Sequence, residues 1–181
     1  MINTAKKLFS AFIALLLITV AVSVCARMIF PVKYKDIIAK YCKSYSVDPA
    51  TICALIKAES SFKETAQSHA GAKGLMQLTD RTFDFCLKKL RIKDSDVFSP
   101  ETNIRCGIWY LSYLLDKYDG NEKNAIAAYN AGETNVDRWL SDKRYSTDGK
   151  NLLYIPFPET RNHIRKIQKY SGIYQLIYYR M

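Results

Sequence analysis

The first pattern along the chain is a long apolar run near its N-terminus. Leu8 to Ala26 is a stretch of nineteen residues without a charge, in which the only hydroxyl side chains are Ser10, Thr19 and Ser23. As an α-helix it would be about 28 Å long, which matches the hydrocarbon core of a bilayer. The pattern predicts that residues 1–30 hold a short N-terminus and a transmembrane helix, and that residues 31–181 form one domain.

Basic residues flank this run on both sides. Lys6 and Lys7 precede it and Arg27 follows it, which is typical of a signal anchor and also of a signal peptide that is removed. The apolar length exceeds the usual core of a signal peptide and favours the anchor, although Val24-Cys25-Ala26 resembles a cleavage site. We therefore expect a single-pass membrane protein, with secretion after cleavage as the alternative.

Beyond residue 31 the apolar positions recur at the three- and four-residue spacing of amphipathic helices. The predicted helices run through Tyr34–Tyr41, from Asp48 to Glu59, from Ser99 to Asp119, from Asn121 to Gly132, through Val136–Leu140 and onward from Pro158. Asp48 and Asn121 are favourable N-cap residues, and proline is compatible with a first helical position. Lys63–Gly74 and Ser141–Pro158 lack the spacing and predict loops. The sequence therefore predicts an all-α domain.

The composition is that of one ordinary globular domain with a basic surface. The chain has 181 residues, 49% of them apolar, and a formal net charge of +10 that is spread along its length. This charge predicts attraction to an anionic partner such as envelope polymers or lipid head groups. Nucleic acid is a poor candidate, because no recognisable binding motif accompanies the charge and a membrane segment keeps the domain away from the genome.

The cysteines and histidines do not predict a metal site. Cys25 lies in the apolar run, and the spacing of the other four cysteines, Cys42, Cys53, Cys86 and Cys106, fits no zinc motif. These four allow three disulfide pairings, between which the sequence does not choose. Cys86 shares an apolar stripe with Phe83, Leu87 and Leu90, so a buried free thiol is an equal alternative. We expect no metal and no cofactor.

One charged residue lies where an apolar one is expected. In the helix that follows Asp48, Ile52, Leu55 and Ile56 form the apolar stripe, and Glu59 continues it. Partial burial disfavours the charged form of a carboxyl group, and so does the negative end of the helix dipole. A carboxyl group that is protonated near neutral pH can serve as a general acid. The alternative is that Glu59 borders the core and pairs with an arginine or a lysine.

Four segments of the chain carry a family resemblance. They are Glu59-Ser60-Ser61-Phe62, Gly71-Ala72-Lys73-Gly74-Leu75-Met76-Gln77-Leu78, Ala128-Tyr129-Asn130-Ala131-Gly132 and Ile155-Pro156-Phe157-Pro158-Glu159-Thr160-Arg161. In this order and spacing they resemble the soluble-lytic-transglycosylase family, whose domain looks like goose-type lysozyme. The resemblance covers roughly Lys33 to Tyr170. It implies an all-α, lysozyme-like domain after the N-terminal hydrophobic membrane segment.

The resemblance also implies an activity. Family members cut the β-1,4 bond between N-acetylmuramic acid and N-acetylglucosamine in peptidoglycan, and Glu59 occupies the position of their single catalytic carboxylate. It would protonate the glycosidic oxygen and then accept a proton from the sugar's own C6 hydroxyl, which leaves a 1,6-anhydro end. Ordinary glycosidases need a second carboxylate, and Glu64, Asp80 and Asp84 match no such position in the family.

The resemblance assigns binding roles to three residues that follow Glu59. Ser68 and Gln77 fall on family positions that hydrogen-bond the glycan, and Met76 lines the groove beside them. Thr79-Asp80 replaces the usual Met-Pro after this segment. We therefore expect the fine shape of the groove to differ from that of other members.

Further roles fall on the later segments. Tyr129 matches a tyrosine whose hydroxyl orients the catalytic carboxyl group, with Asn130 beside it, and a packed core aromatic is the alternative for Tyr129. Glu159 matches an acid in the cleft wall that either binds substrate or holds Arg161. His163 stands where the family commonly has a tyrosine.

Two other functions remain open at this point. One is a hydrolytic muramidase on the same fold, with water in place of the C6 hydroxyl, and the other is a non-catalytic glycan-binding scaffold at the membrane. A partly buried Glu59 argues against the scaffold, which has no use for such an acid. With peptidoglycan strands as the implied partner, we expect the domain on the extracytoplasmic side of the cell membrane.

Overall fold

The structure, a computed structural model, describes residues 2–179, and of residues 2–5 and 7 it describes the backbone alone. Within that range the chain forms eight α-helices and a short π-helix, and no β-strand. The helices are α1 Ile2–Ile29, α2 Lys35–Tyr45, α3 Pro49–Glu59, α4 Asp80–Leu90, α5 Pro100–Lys117, α6 Glu122–Ala131, α7 Glu133–Leu140, α8 Pro158–Tyr174 and the π-helix Gln175–Tyr179. The prediction of an all-α domain is confirmed.

Local capping explains where two of these helices begin. The Asp48 carboxylate accepts a hydrogen bond of 2.8 Å from the backbone N–H of Thr51 at the start of α3. Asn121 does the same for the N–H of Asn124 at the start of α6, at 3.1 Å. Each bond satisfies a backbone donor that has no partner inside its helix. The two predicted caps are confirmed.

Helix α3 lies at the centre of the core. Every side chain from Ala50 to Ile56 is buried, and the helix packs mainly along α8, while α5 packs against α2, α4 and α6. A helix buried on all its faces needs apolar residues all round, which Ala-Thr-Ile-Cys-Ala-Leu-Ile supplies. Glu59 is therefore carried to the edge of the core by the most deeply buried helix of the domain.

The cysteines are unpaired. All five are free thiols, and the four outside α1 are buried. Burial raises the pKa of the Cys53 thiol to about 11 and that of Cys42 to about 12, because a thiolate loses its hydration there. These side chains act as small apolar core residues.

Helix α1 extends from the domain without being buried by it. Its segment Leu8–Ile29 has a mean hydropathy of 2.7 and no buried residue, so it is long and apolar enough to cross a membrane. The predicted run Leu8–Ala26 lies inside this helix. Met1 and residues 180–181, which belong to the predicted segments 1–30 and 31–181, lie outside the described residues.

Candidate active site

Glu59 is the last residue of α3, at a sharp change of chain direction. Its side chain is only 16% exposed. Ser61 and Phe62 follow with backbone φ angles of 52° and 63°, in the left-handed region. The side chain of Phe62 is buried in the core and the Ser60 hydroxyl donates to the carbonyl of Leu75 at 2.8 Å. These contacts hold the reversal in place and leave the carboxyl group of Glu59 at the boundary between core and solvent.

The neighbour of this carboxyl group is His163 of α8. Glu59 Oε1 and His163 Nε2 lie 3.1 Å apart, and the histidine side chain is only 11% exposed. Nε2 is buried and has no hydrogen-bond partner among the described residues. The two side chains are therefore in close polar contact without a formed hydrogen bond.

Sequence reasoning did not pair these two residues. The sequence marks His163 as a departure from the family's tyrosine, and the alternative partner that it predicts for Glu59 is an arginine or a lysine. In α8, however, His163 is followed at helical spacing by the buried Ile167 and preceded by the buried Thr160. A histidine on the buried side of a helix was the signal that could have identified it.

The segment Gly71–Leu78 is held on α5 by Asn103, which sequence reasoning missed. Asn103 is fully buried. Its Oδ1 accepts from the N–H of Met76 at 2.8 Å, and its Nδ2 donates to the carbonyls of Lys73 at 3.2 Å and Val97 at 2.8 Å. Gly74 has φ +78°, and a Cβ there would lie 2.2 Å from Asn103 Nδ2. Glycine is required at this position by both the backbone angle and the close approach.

Met76 does not line the groove as expected. Its side chain is fully buried and packs so tightly on Gly107 of α5 that a Cβ at that glycine would lie 2.3 Å from Met76 Sδ. A side chain without exposed surface makes no contact with a sugar, so the expectation for Met76 is wrong. Its apolar thioether instead anchors the segment to the core.

Ser68 and Gln77 both belong to the loop that follows Glu59. Gln77 is partly exposed, and its amide Nε2 donates to the carbonyls of Ala66 at 3.1 Å and Gly74 at 2.9 Å. Ser68 is exposed, and its hydroxyl accepts from the N–H of Ala72 at 3.0 Å. Both side chains thus shape the loop, and their exposed atoms are still accessible to a ligand.

Tyr129 has a different partner from the expected one. Its hydroxyl donates to the carbonyl of Met76 at 2.8 Å and not to Glu59. The ring is partly exposed while the hydroxyl end is deeply buried, and this burial, reinforced by the nearby negative charge of Glu59, raises the pKa of Tyr129 well above its usual range. The hydroxyl therefore stays protonated and holds the Met76 backbone near the carboxyl group. That Tyr129 orients Glu59 stays a prediction, and in this structure the hydroxyl does not donate to the carboxyl group itself.

The remaining predicted residues lie at the start of α8. Thr160 Oγ1 donates to Asn130 Oδ1 at 2.7 Å, which ties the end of α6 to α8. Glu159 is exposed. Arg161 Nη1 donates to the carbonyls of Ile155 at 2.5 Å and Pro156 at 3.1 Å, so Arg161 is held by backbone oxygens and the alternative that Glu159 holds it is wrong.

The three acids considered as second carboxylates are not contacts of Glu59. Glu64 accepts from the hydroxyl of Tyr34, Asp80 pairs with Lys73 Nζ at 2.7 Å, and Asp84 is exposed on α4. Among residues 2–179 no group of three or more His, Cys, Asp or Glu is arranged to hold a metal ion. The site thus presents one carboxyl group with a histidine beside it.

Glu59 does not line the five main cavities in the described part of the chain. One cavity of about 510 Å³ is lined by Tyr118 and Asn124. Another of about 520 Å³ is lined by Arg161 and Arg165. A smaller one of about 330 Å³ is lined by Tyr110, whose ring packs on that of Tyr129 at 5.5 Å between centroids.

The chain is similar to proteins named lytic murein transglycosylases. It is 32% identical over 151 residues to the soluble lytic murein transglycosylase of Salmonella typhimurium, covering 81% of this chain and 23% of that protein. It is 32% identical over 169 residues to the membrane-bound lytic murein transglycosylase C of Histophilus somni, covering 80% and 47% respectively. The chain therefore spans about a quarter to a half of the length of these relatives.

The fold is shared with a solved structure. An inactive mutant of the lytic transglycosylase Slt from Pseudomonas aeruginosa superposes with a TM-score of 0.72 at 32% identity, over 81% of this chain and 24% of that one. A family model, the transglycosylase SLT domain, matches residues 36–152, which include Glu59, the loop after it and α6. Since this match covers more than half of the chain, the protein belongs to the transglycosylase SLT domain family.

Proposed function

We propose that the protein is a peptidoglycan lytic transglycosylase that cleaves the bond between N-acetylmuramic acid and N-acetylglucosamine and leaves a 1,6-anhydro end. The observation that carries this is the carboxyl group of Glu59, which is only 16% exposed, pairs with no lysine or arginine among residues 2–179 and lies 3.1 Å from a largely buried imidazole. A structural ion pair would have placed a strong cation there. The names of the relatives, lytic murein transglycosylases, support the substrate class.

In the proposed reaction Glu59 acts twice. Its protonated form donates to the glycosidic oxygen as the bond breaks, and the resulting carboxylate then accepts the proton of the C6 hydroxyl as that oxygen closes on C1. The engagement of Glu64 with Tyr34 and of Asp80 with Lys73 supports a mechanism that needs no second carboxylate. A hydroxyl of the substrate itself has a high effective concentration at C1, which water does not match.

His163 is the proposed positioning residue for Glu59. An imidazole 3.1 Å from the carboxyl oxygen restricts the rotation of a side chain at the end of a helix. Lys166 strengthens the same contact between helices, because its Nζ donates to the carbonyl of Ala58 at 3.1 Å, one residue before Glu59. The chemistry therefore rests on the packing of α8 along α3.

The proposed glycan-binding residues are Ser68, Gln77, Asn130 and Glu159. The exposure of Ser68 and Glu159 and the partial exposure of Gln77 and Asn130 support this. Direct glycan contact is not proposed for Met76, which is buried. Tyr129 acts instead through the Met76 backbone. The formal net charge of +10 supports a further attraction to anionic envelope polymers.

We also propose that α1 anchors the protein in the cell membrane by a single pass, with the domain on the extracytoplasmic side. The exposed apolar segment Leu8–Ile29 and the name of the membrane-bound relatives support the anchor. The side follows from the substrate, which lies outside that membrane. Secretion after cleavage before Arg27 is the alternative.

The products test the proposed reaction. Full-length protein in detergent should release muropeptides that end in 1,6-anhydro-N-acetylmuramic acid, lighter by one water than hydrolytic products, as seen by mass spectrometry of digested sacculi. Reducing ends as the main product would instead identify a muramidase. Binding to sacculi without release of fragments would identify a scaffold. Glu59→Gln is the matched control for contaminating enzymes.

A further inference from the structure

The end of the chain returns to the point where α1 meets the domain. The Tyr174 hydroxyl donates to the carbonyl of Pro31 at 3.1 Å, and the Tyr178 hydroxyl donates to the carbonyl of Phe30 at 3.0 Å. The Phe30 ring packs edge-to-face on Tyr170 and Tyr174, at 5.2 and 5.7 Å between centroids. The connection after α1 is therefore braced by the C-terminal segment and is not a free hinge.

The contact of Arg27 with Tyr178 shows where the C-terminal segment lies relative to the end of the apolar helix. Arg27 is the first charged residue after the uncharged run, and a cation at the end of such a run stays at the level of the lipid head groups. Its guanidinium group lies 5.9 Å from the centre of the Tyr178 ring. Tyr178 is consequently at the same level as Arg27.

The π-helix also exposes apolar surface at this level. Leu176 is 61% exposed and Tyr178 is 36% exposed, and at the end of α1 Met28 and Ile29 are 75% and 59% exposed. No charged residue occurs from Tyr170 to Tyr179, whereas Lys166 and Lys169 precede that stretch. Tyrosines with a neighbouring cation and an adjoining apolar side chain are typical of segments at a membrane surface.

We propose that the π-helix Gln175–Tyr179 binds the surface of a phospholipid bilayer, with Leu176 and Tyr178 entering the boundary between head groups and acyl chains. The proposal goes beyond the enzymatic function and rests on the insertion of α1, with which this surface is continuous. The membrane would then hold the domain at two points, the transmembrane helix and the C-terminal segment.

This second contact fixes the position of the reaction relative to the membrane. Helix α8 runs from His163, beside Glu59, to the π-helix. At 1.5 Å per residue, His163 lies no more than about 25 Å from Tyr178. The enzyme would therefore act on glycan strands at a set and short distance from the bilayer.

Tryptophan scanning of the full-length protein in phosphatidylcholine vesicles tests the proposal. Leu176→Trp is compared with Leu153→Trp, since the two leucines are 61% and 65% exposed. Leu153 is the matched control because its neighbour Tyr154 contacts Arg161 at the opposite end of α8. Phe12→Trp reports the insertion of α1. The fluorescence of Trp109 and Trp139 is measured in the unchanged protein and subtracted.

Brominated lipids quench only tryptophans that reach the acyl region. Leu176→Trp should lose about half of its fluorescence, at least about threefold more than Leu153→Trp, with the stronger effect from lipids brominated near the head group. Quenching of Phe12→Trp without quenching of Leu176→Trp would overturn the proposal and leave the anchor intact. Absence of quenching in both would overturn the anchor together with it, while the enzymatic function would be untouched.

Discussion

At the scale of single residues, the site consists of one carboxyl group and the groups that hold it. Glu59 contacts His163 directly, and Tyr129 acts one step away, through the carbonyl of Met76. These roles differ in what a substitution should change. Loss of the acid should affect chemistry alone, loss of a direct neighbour should affect orientation, and loss of the indirect contact should also affect stability.

Glu59→Gln should fold normally and lose at least about a hundredfold in glycan cleavage, because an amide of the same shape does not deliver a proton. Turnover of purified sacculi and the melting temperature measure the two effects. The matched control is Glu64→Gln, which should keep most of the turnover. Cleavage by Glu59→Gln at the rate of the unchanged enzyme would contradict the assignment.

His163→Phe should lower kcat about tenfold with little change in KM, since the Glu59 carboxyl group then loses its polar neighbour and samples unproductive rotamers. His163→Tyr keeps a polar group and should retain most of the activity. Steady-state kinetics on soluble glycan fragments measures kcat and KM separately, with His69→Phe as the control in an exposed loop. A change confined to KM would point to glycan binding by His163 instead of positioning.

Tyr129→Phe should lower both stability and turnover, because the buried carbonyl of Met76 loses its donor. The expected cost is about 1–2 kcal/mol in the free energy of unfolding, measured by denaturant titration alongside turnover. A large loss of turnover at unchanged stability would show that the hydroxyl acts on the carboxyl group or the substrate directly, as the sequence first suggested.

At the scale of secondary-structure elements, the site depends on how closely the segment Gly71–Leu78 approaches α5. Gly107 is the only residue of α5 without a side chain, and it is where Met76 packs. Asn103 lies one helical turn earlier and accepts from the Met76 N–H. Gly107 and Asn103 together fix the backbone of Met76, to which the Tyr129 hydroxyl is bound. A substitution in α5 should therefore alter the geometry of the active site.

Gly107→Ala tests this close approach. The added Cβ would lie 2.3 Å from Met76 Sδ, which forces the side chain to move and should cost about 1–3 kcal/mol of stability together with part of the turnover. Gly172→Ala in α8 is the matched control, because nothing lies within 4 Å of its added Cβ and it should gain up to about 1 kcal/mol from helix propensity. Equal effects of the two variants would indicate that Gly107 has no packing role.

At the scale of the whole molecule, the protein joins a helical domain with its own core to an exposed apolar helix. The core is centred on α3 and α8, whereas no residue of Leu8–Ile29 is buried by the domain. Such a helix is stable only in an apolar environment, which under the proposed topology is the bilayer.

The proposed topology predicts that the domain is accessible from outside the cell membrane. Protease added to intact spheroplasts should remove the domain and leave the α1 fragment in the membrane, while a cytoplasmic marker protein stays intact. Complete protection of the domain would place it on the inner side. A mature protein that starts near Arg27 and is free in the medium would show that the segment is a cleaved signal peptide.

Much of the fold was predictable because its determinants are local. The caps Asp48 and Asn121 act on N–H groups three residues away, and apolar spacing defines each helix within a few turns. Glu59 was predictable for the same reason, since its place on the stripe of α3 follows from its distance to Ile52 and Leu55 along the chain. The apolar run of α1 was likewise evident from composition alone.

Local patterns in the sequence therefore specify most of the helices, the apolar membrane-length segment and the position of the acid on its helix. The groups that surround that acid are set by the packing of the helices, because those contacts join residues far apart in the chain. The packing of α8 along α3 brings His163 to Glu59. The approach of Gly71–Leu78 to α5 buries Met76 and directs the Tyr129 hydroxyl to its carbonyl. Such contacts depend on helix packing and chain reversal, which the spacing of apolar residues along the chain does not predict.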